Sequence, residues 1–120
     1  MRGISREESV TINVRTVDQV TILDLNGSFK AGEADLAFRN SVGEVLAAGV
    51  TNLAINLAGV SFLDSSGIGS LVRTLSTLKE RGGGFRLFGA SKQVAETLKM
   101  VRLDKVLKVT EDEAAALASF

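Results

Sequence analysis

Two spacings of apolar residues take turns along this chain. Val10, Ile12 and Val14 alternate with Thr11, Asn13 and Arg15, the period-two pattern of a half-buried strand. Val17-Asp18-Gln19 reads as a turn, and Val20 to Leu25 as a second strand. So short a connection makes the two strands antiparallel, and Asn26-Gly27 carries turn chemistry that closes the second one. After a loop over Ser28–Gly32 the period lengthens. Ala34, Phe38, Val42 and Val45, with Leu46 alongside, mark one face of a helix over Glu33–Ala48, which Gly49 stops.

Leu53 to Leu57 is apolar nearly throughout, as in a strand covered on both faces. Ile68, Leu71, Val72, Leu75 and Leu78 then recur at helical spacing, ending at Lys79, Arg81 and Gly82. Phe85–Phe88 predicts a fourth strand. Ser91 caps a third helix with Val94, Leu98 and Val101 on one face. Val106–Val109 predicts a fifth strand. Thr110 and Glu113 form a capping-box pair for a last helix facing inward with Ala114, Leu117 and Ala118.

The pattern predicts an α/β fold with a mixed sheet of about five strands and four helices. Its first strand pair is antiparallel, and its later strands are parallel with right-handed crossovers. With 120 residues it reads as one domain, residues 1–120, the polar first nine being a flexible N-terminus.

Composition narrows the chemistry. Lys plus Arg and Asp plus Glu each number 14, so no net charge calls for nucleic acid as a partner. There is no Cys and no His, which removes disulfides, thiol chemistry, the usual zinc sites and any Ser-His-Asp triad. No metal or cofactor is expected, and no enzyme activity. No apolar run approaches the roughly 20 residues that span a bilayer, and the first residues lack a signal peptide's apolar core. The expected location is the cytoplasm, without membrane insertion. Gly82-Gly83-Gly84 follows a helix rather than preceding one, so it reads as a turn and not a phosphate loop. Lys92, Lys99 and Arg102 read as a solvated helix face.

The stretch with the most specific chemistry is Gly59-Val60-Ser61-Phe62-Leu63-Asp64-Ser65-Ser66-Gly67-Ile68-Gly69-Ser70-Leu71. It joins the third strand to the second helix by a short loop. Asp64 suits the N-cap, accepting from the N–H of Ser66 or Gly67, which puts Ser65 at the first helical position. The positive end of the helix dipole favours an anion there. Gly67 and Gly69 each cost roughly 1 kcal/mol against alanine but leave bare backbone for another surface to approach. The same residues also read as a capped helix whose glycines merely pack. Phe62 and Leu63 read as core or strand-edge positions.

Val60-Ser61-Phe62-Leu63-Asp64-Ser65-Ser66-Gly67-Ile68-Gly69 resembles the signature of bacterial anti-sigma factor antagonists, the single-domain members of the STAS family. The resemblance implies a regulatory binding protein that docks on an anti-sigma factor and frees a sigma factor. It implies phosphorylation of Ser65, or alternatively Ser66, by an anti-sigma serine kinase, with a serine phosphatase resetting the cycle. The implied contact set is Asp64, Ser65, Ser66, Gly67, Ile68 and Gly69 with Phe29 and Lys30; a homodimer is left open by the sequence. One departure stands out. Family members commonly carry an acid in the loop after the second strand, where this chain has Phe29-Lys30. A lysine beside Ser65 would attract a phosphate rather than repel it. The same fold also resembles non-catalytic scaffolding subunits of lipid transporters and stress-signalling assemblies, which is the alternative reading.

Overall fold

The computed structural model describes residues 10–120, and the expectation for residues 1–9 lies outside the described residues. β1 (Thr11–Val17) and β2 (Val20–Phe29) pair antiparallel, with Val17 opposite Val20. The turn residues Asp18 and Gln19 both hold positive φ, 50° and 68°, which matches the right-handed twist of the strands they join. β2 does not close at Asn26-Gly27. It runs on through Ser28 and Phe29 because β3 (Asn52–Leu63) supplies a parallel partner along its full length. Asn26-Gly27 lies at an irregularity instead, where the pairing slips between Asp24 and Asn26 and again between Gly27 and Ser28.

β3 is correspondingly longer than Leu53–Leu57, and the expected loop after it is strand as far as Leu63. At the second slip Gly27 pairs Val60 and Ser28 pairs Phe62, leaving Ser61 as the extra residue. The inside-outside alternation is reset there. Val60 and Leu63 are both buried, while Phe62 turns outward and is 46% exposed. Phe62 is therefore a surface residue, not a core one.

The sheet has five strands in the order β1-β2-β3-β4-β5, with β4 at Gly84–Phe88 and β5 at Val109–Thr110, all parallel after the first pair. α1 (Glu33–Ala47), α2 (Ser65–Glu80) and α3 (Lys92–Met100) bury Phe38, Leu71, Leu78 and Leu98 in one core with Leu23, Ile55 and Leu87 of the strands. The alternate strand positions Val20, Ile22, Ala54 and Phe88 face the other way, onto Ala116, Leu117 and Phe120. The face of α4 (Glu113–Ala118) therefore differs from the expected one, since Ala114 and Ala118 are exposed. Its cap is Asp112, which accepts from Ala115 N–H at 2.9 Å. Thr110 belongs to β5, and its hydroxyl donates to the Leu87 carbonyl at 3.3 Å.

The fifth strand is shorter than Val106–Val109. Arg102 and Lys108 hold φ of 61° and 51°, and the bonds Leu103 N–H to Leu98 O and Leu107 N–H to Leu103 O fold the intervening chain into turns. Leu107 is buried by this, and Val106 is left exposed. Val101 caps the C-terminus of α3 from the outside, so the buried face of α3 is Val94 and Leu98 alone.

A polar cluster pins α4 to the sheet. Arg15 donates to Asp24 at 2.7 Å and to Glu113 at 2.6 Å, while Asn56 and Asn13 also donate to Asp24. Beside it the Arg86 guanidinium lies 4.7 Å from the centre of the Phe120 ring.

Candidate functional site at the start of the second helix

α2 begins where β3 ends, and Asp64 is the joint. Its backbone is extended, and its Oδ1 accepts from Gly67 N–H at 3.0 Å, one of the first-turn donors that a helix cannot satisfy itself. Its Oδ2 accepts from Ala31 N–H at 3.1 Å, across from another segment of chain. Its own N–H donates to the Phe29 carbonyl at 3.3 Å. One residue thus ties the end of β2, the turn before α1 and the start of α2 together. Burial alone would raise the Asp64 pKa, but the N–H groups of Gly67, Ala31 and Ser66 outweigh it and hold the carboxyl below its ordinary value. Asp64 is a permanent carboxylate at neutral pH.

Ser65 occupies the first helical position and is exposed, while Ser66 is half-buried. The first turn of α2 contains no acidic residue, so Asp64 is its only negative charge. Ile68 is half-buried and packs on the core, and Gly69 is half-buried. Gly67 is buried. A Cβ there would stand 2.7 Å from both the Phe29 carbonyl oxygen and Leu63 Cδ1, so the missing side chain seats α2 against β2. A Cβ on Gly69 would meet only Arg73 Nη1, at 3.6 Å. Of the two glycines, Gly69 is the one whose backbone a partner can approach.

Phe29 is not at the surface. Its ring is fully buried and lies 4.9 Å from that of Phe38. It supports the site from beneath and does not offer itself for contact, because β2 continues through it with its side chain on the core face. Lys30 follows it, half-buried, between the two residues that hydrogen-bond Asp64. Ser28 and Ser61 lie nearby with their hydroxyls 3.4 Å apart. The exposed Phe62, which reads from the sequence as a core or strand-edge position, and the Ala31 N–H also lie at the site. The bulge that turns Phe62 outward is a property of strand pairing, and no local spacing signals it.

Behind the site, α1 and α2 are braced. Ser70 Oγ donates to Asp35, Arg73 donates to Ser70 Oγ at 3.1 Å, and Arg39 pairs with Asp35 at 3.3 Å. Among the described residues no group of three or more His, Cys, Asp or Glu could hold a metal ion. No helix among them is long and apolar enough to cross a membrane. An exposed hydroxyl beside a fixed carboxylate at the positive end of a 16-residue helix can accept a phosphoryl group.

A doubly covered mixed sheet with this Asp-Ser-Ser-Gly helix start defines a class, and the chain belongs to it: the STAS domain family matches residues 11–116. Among its relatives is the anti-sigma-B factor antagonist of Listeria monocytogenes, 29% identical over 110 residues that cover 88% of this chain and 90% of that protein. The crystal structure of an anti-sigma factor antagonist from Mycobacterium paratuberculosis superposes with a TM-score of 0.85 at 25% identity, covering 93% of this chain and 94% of the other. The Bacillus cell fate determinant SpoIIAA in its phosphorylated form shares the fold, with a TM-score of 0.70 at 20% identity over 92% of this chain and 100% of that one.

Proposed function

We propose that this chain is an anti-sigma factor antagonist. Its docking surface is the exposed start of α2 around Ser65, Ser66 and Gly69, flanked by Lys30 and Phe62, and a phosphate on Ser65 switches it off. The observation that carries the reading is the exposed Ser65 hydroxyl beside a carboxylate held ionised by three backbone N–H groups. The chain acts as substrate and ligand in the cytoplasm, not as catalyst. A serine kinase that is also the anti-sigma factor transfers the γ-phosphoryl of ATP to Ser65 Oγ. The new O–P bond replaces the bond to ADP, and the hydroxyl proton passes to a base of the kinase. A serine phosphatase returns the hydroxyl.

The added charge, about −1.5 to −2 at neutral pH, sits beside Asp64 in a surface meant to close against a partner. Desolvating two adjacent negative charges weakens that interface, and truncating or adding one charge at such a place shifts affinity by several kcal/mol. The test is calorimetric titration of the anti-sigma kinase with wild type, Ser65→Ala and Ser65→Asp. The alanine variant should bind like wild type, and the aspartate variant should lose at least tenfold, about 1.4 kcal/mol. Equal binding by Ser65→Asp would sink the charge switch.

A further inference from the structure

On the far part of the sheet, α3 and the turn segment 102–108 border an open groove of about 650 Å³, within the range of small-molecule sites. Its lining includes four lysines, Lys92, Lys99, Lys105 and Lys108, against two carboxylates, Glu96 and Asp104. Its remaining lining is apolar: Ala95, Leu98 and Val109. None of these residues belongs to the Ser65 site.

Three observations set the groove apart from an ordinary charged surface. The chain as a whole carries no net charge, so an excess of two positive charges around one cavity is local. None of the four lysines is within 4.0 Å of a carboxylate among the described residues, although two carboxylates line the same groove. The helical lysines of α3 are met across the gap by Lys105 and Lys108, brought there by a segment bracketed by left-handed Arg102 and Lys108. Non-glycine residues are uncommon in that conformation and persist where the surrounding structure requires them. At Lys108 the strain places a cation at the groove.

We propose that this groove binds a small organic anion, a phosphate or carboxylate head joined to an aliphatic body. The lysines take the head, and the half-buried Ala95 and Val109 take the body, over the fully buried Leu98. No aromatic ring lines the groove, so stacking of a base contributes nothing to recognition.

The probe is octyl phosphate, added to the 120-residue chain and followed by amide chemical shifts, with inorganic phosphate and octanol as half-probes. The expected result is one saturable site with shifts in residues 92–99 and 104–109. Each half-probe should bind at least tenfold more weakly. Lys105→Glu with Lys108→Glu should weaken binding at least tenfold, while Lys79→Glu with Arg81→Glu, the same charge change at exposed positions elsewhere, should leave it unchanged. Lys108→Gly removes one lysine and relieves the left-handed strain. It should fold at least as well as wild type and bind several-fold more weakly. Non-saturating shifts, shifts centred outside the groove, or equal losses in both double variants would overturn the proposal. So would binding to phosphatidylglycerol vesicles with no saturable octyl phosphate site, which would assign the lysines to a lipid surface.

Discussion

Two helices of this molecule begin in the same way and do different work. α2 is capped by Asp64, which accepts from the N–H three residues on at 3.0 Å, and α4 by Asp112, which does so at 2.9 Å. Local capping chemistry is identical. The difference lies in what the rest of the chain does with each end. The second oxygen of Asp64 is taken by Ala31, and its N–H bonds the Phe29 carbonyl, so that cap is also a tertiary joint. Its first turn holds serines and no acid. The first turn of α4 holds Glu113, already paired with Arg15 from β1. An N-terminus whose charge is satisfied internally is a structural device. One that leaves an exposed hydroxyl at its positive end is available for chemistry.

The sharpest way to break the contrast is to unseat α2. Gly67→Ala puts a methyl group 2.7 Å from the Phe29 carbonyl oxygen, a backbone atom that cannot swing aside. The expected loss is about 1–3 kcal/mol, in the range of overpacking a well-filled core. Urea denaturation should show it as a lower midpoint with an unchanged slope. A loss under 1 kcal/mol would mean that α2 is not seated through Gly67.

Removing the two caps in parallel measures the tertiary part. Asp112→Ala deletes one cap bond and should cost about 1 kcal/mol. Asp64→Ala deletes an equivalent cap bond and the bond from Ala31, and should cost about 2 kcal/mol. Equal losses in the two variants would show that the Ala31 bond contributes nothing, and that Asp64 is only a cap.

That distinction also marks how far sequence reading reaches. Asp64 as N-cap, the inner face of α1 and the strand core of β3 follow from residues within a few positions of one another, and each was legible. The extension of β2 through Asn26-Gly27 and of β3 to Leu63 was not, because a parallel neighbour satisfied backbone groups that turn chemistry predicted to be free. The burial of Phe29 and the exposure of Phe62 follow from that pairing and its slips. At the C-terminal end Thr110 and Asp112 are both good caps, and only the pairing of Thr110 with Phe88 decides between them. Lys92, Lys99 and Arg102 read as a solvated face and are exposed, whereas the groove that Lys92 and Lys99 share with Lys105 and Lys108 depends on how segment 102–108 folds.

Acid separates the two ends more gently. The Arg15 guanidinium holds the Asp24 carboxyl down at about 2 and holds Glu113 below its usual value. A carboxylate whose pKa is lower in the folded chain contributes stability above its unfolded pKa, near 4, and that contribution is lost as pH falls towards 2. With Arg15 about one-third exposed, solvent screening reduces the pair to about 1 kcal/mol. Arg15→Met should therefore cost about that much at pH 7 and flatten the decline in stability between pH 4 and pH 2. An undiminished decline would place the acid-sensitive groups elsewhere, with Asp64 the next to test.

The smallest expected effect bears most directly on function. Gly69 lies two residues after Gly67 in the same helix, yet a Cβ there meets only Arg73 Nη1 at 3.6 Å, an ordinary contact with the end of a flexible side chain. Helix propensity then decides the sign, and Gly69→Ala should stabilise the chain by about 0.5–1 kcal/mol. On the proposed docking surface, Gly69 is the position where a partner would close on bare backbone. Gly69→Ala should accordingly raise the urea midpoint while weakening the anti-sigma complex, the two effects moving in opposite directions. If the midpoint rises and binding is unchanged, Gly69 lies outside the docking surface, and the contact is confined to the Ser65 turn.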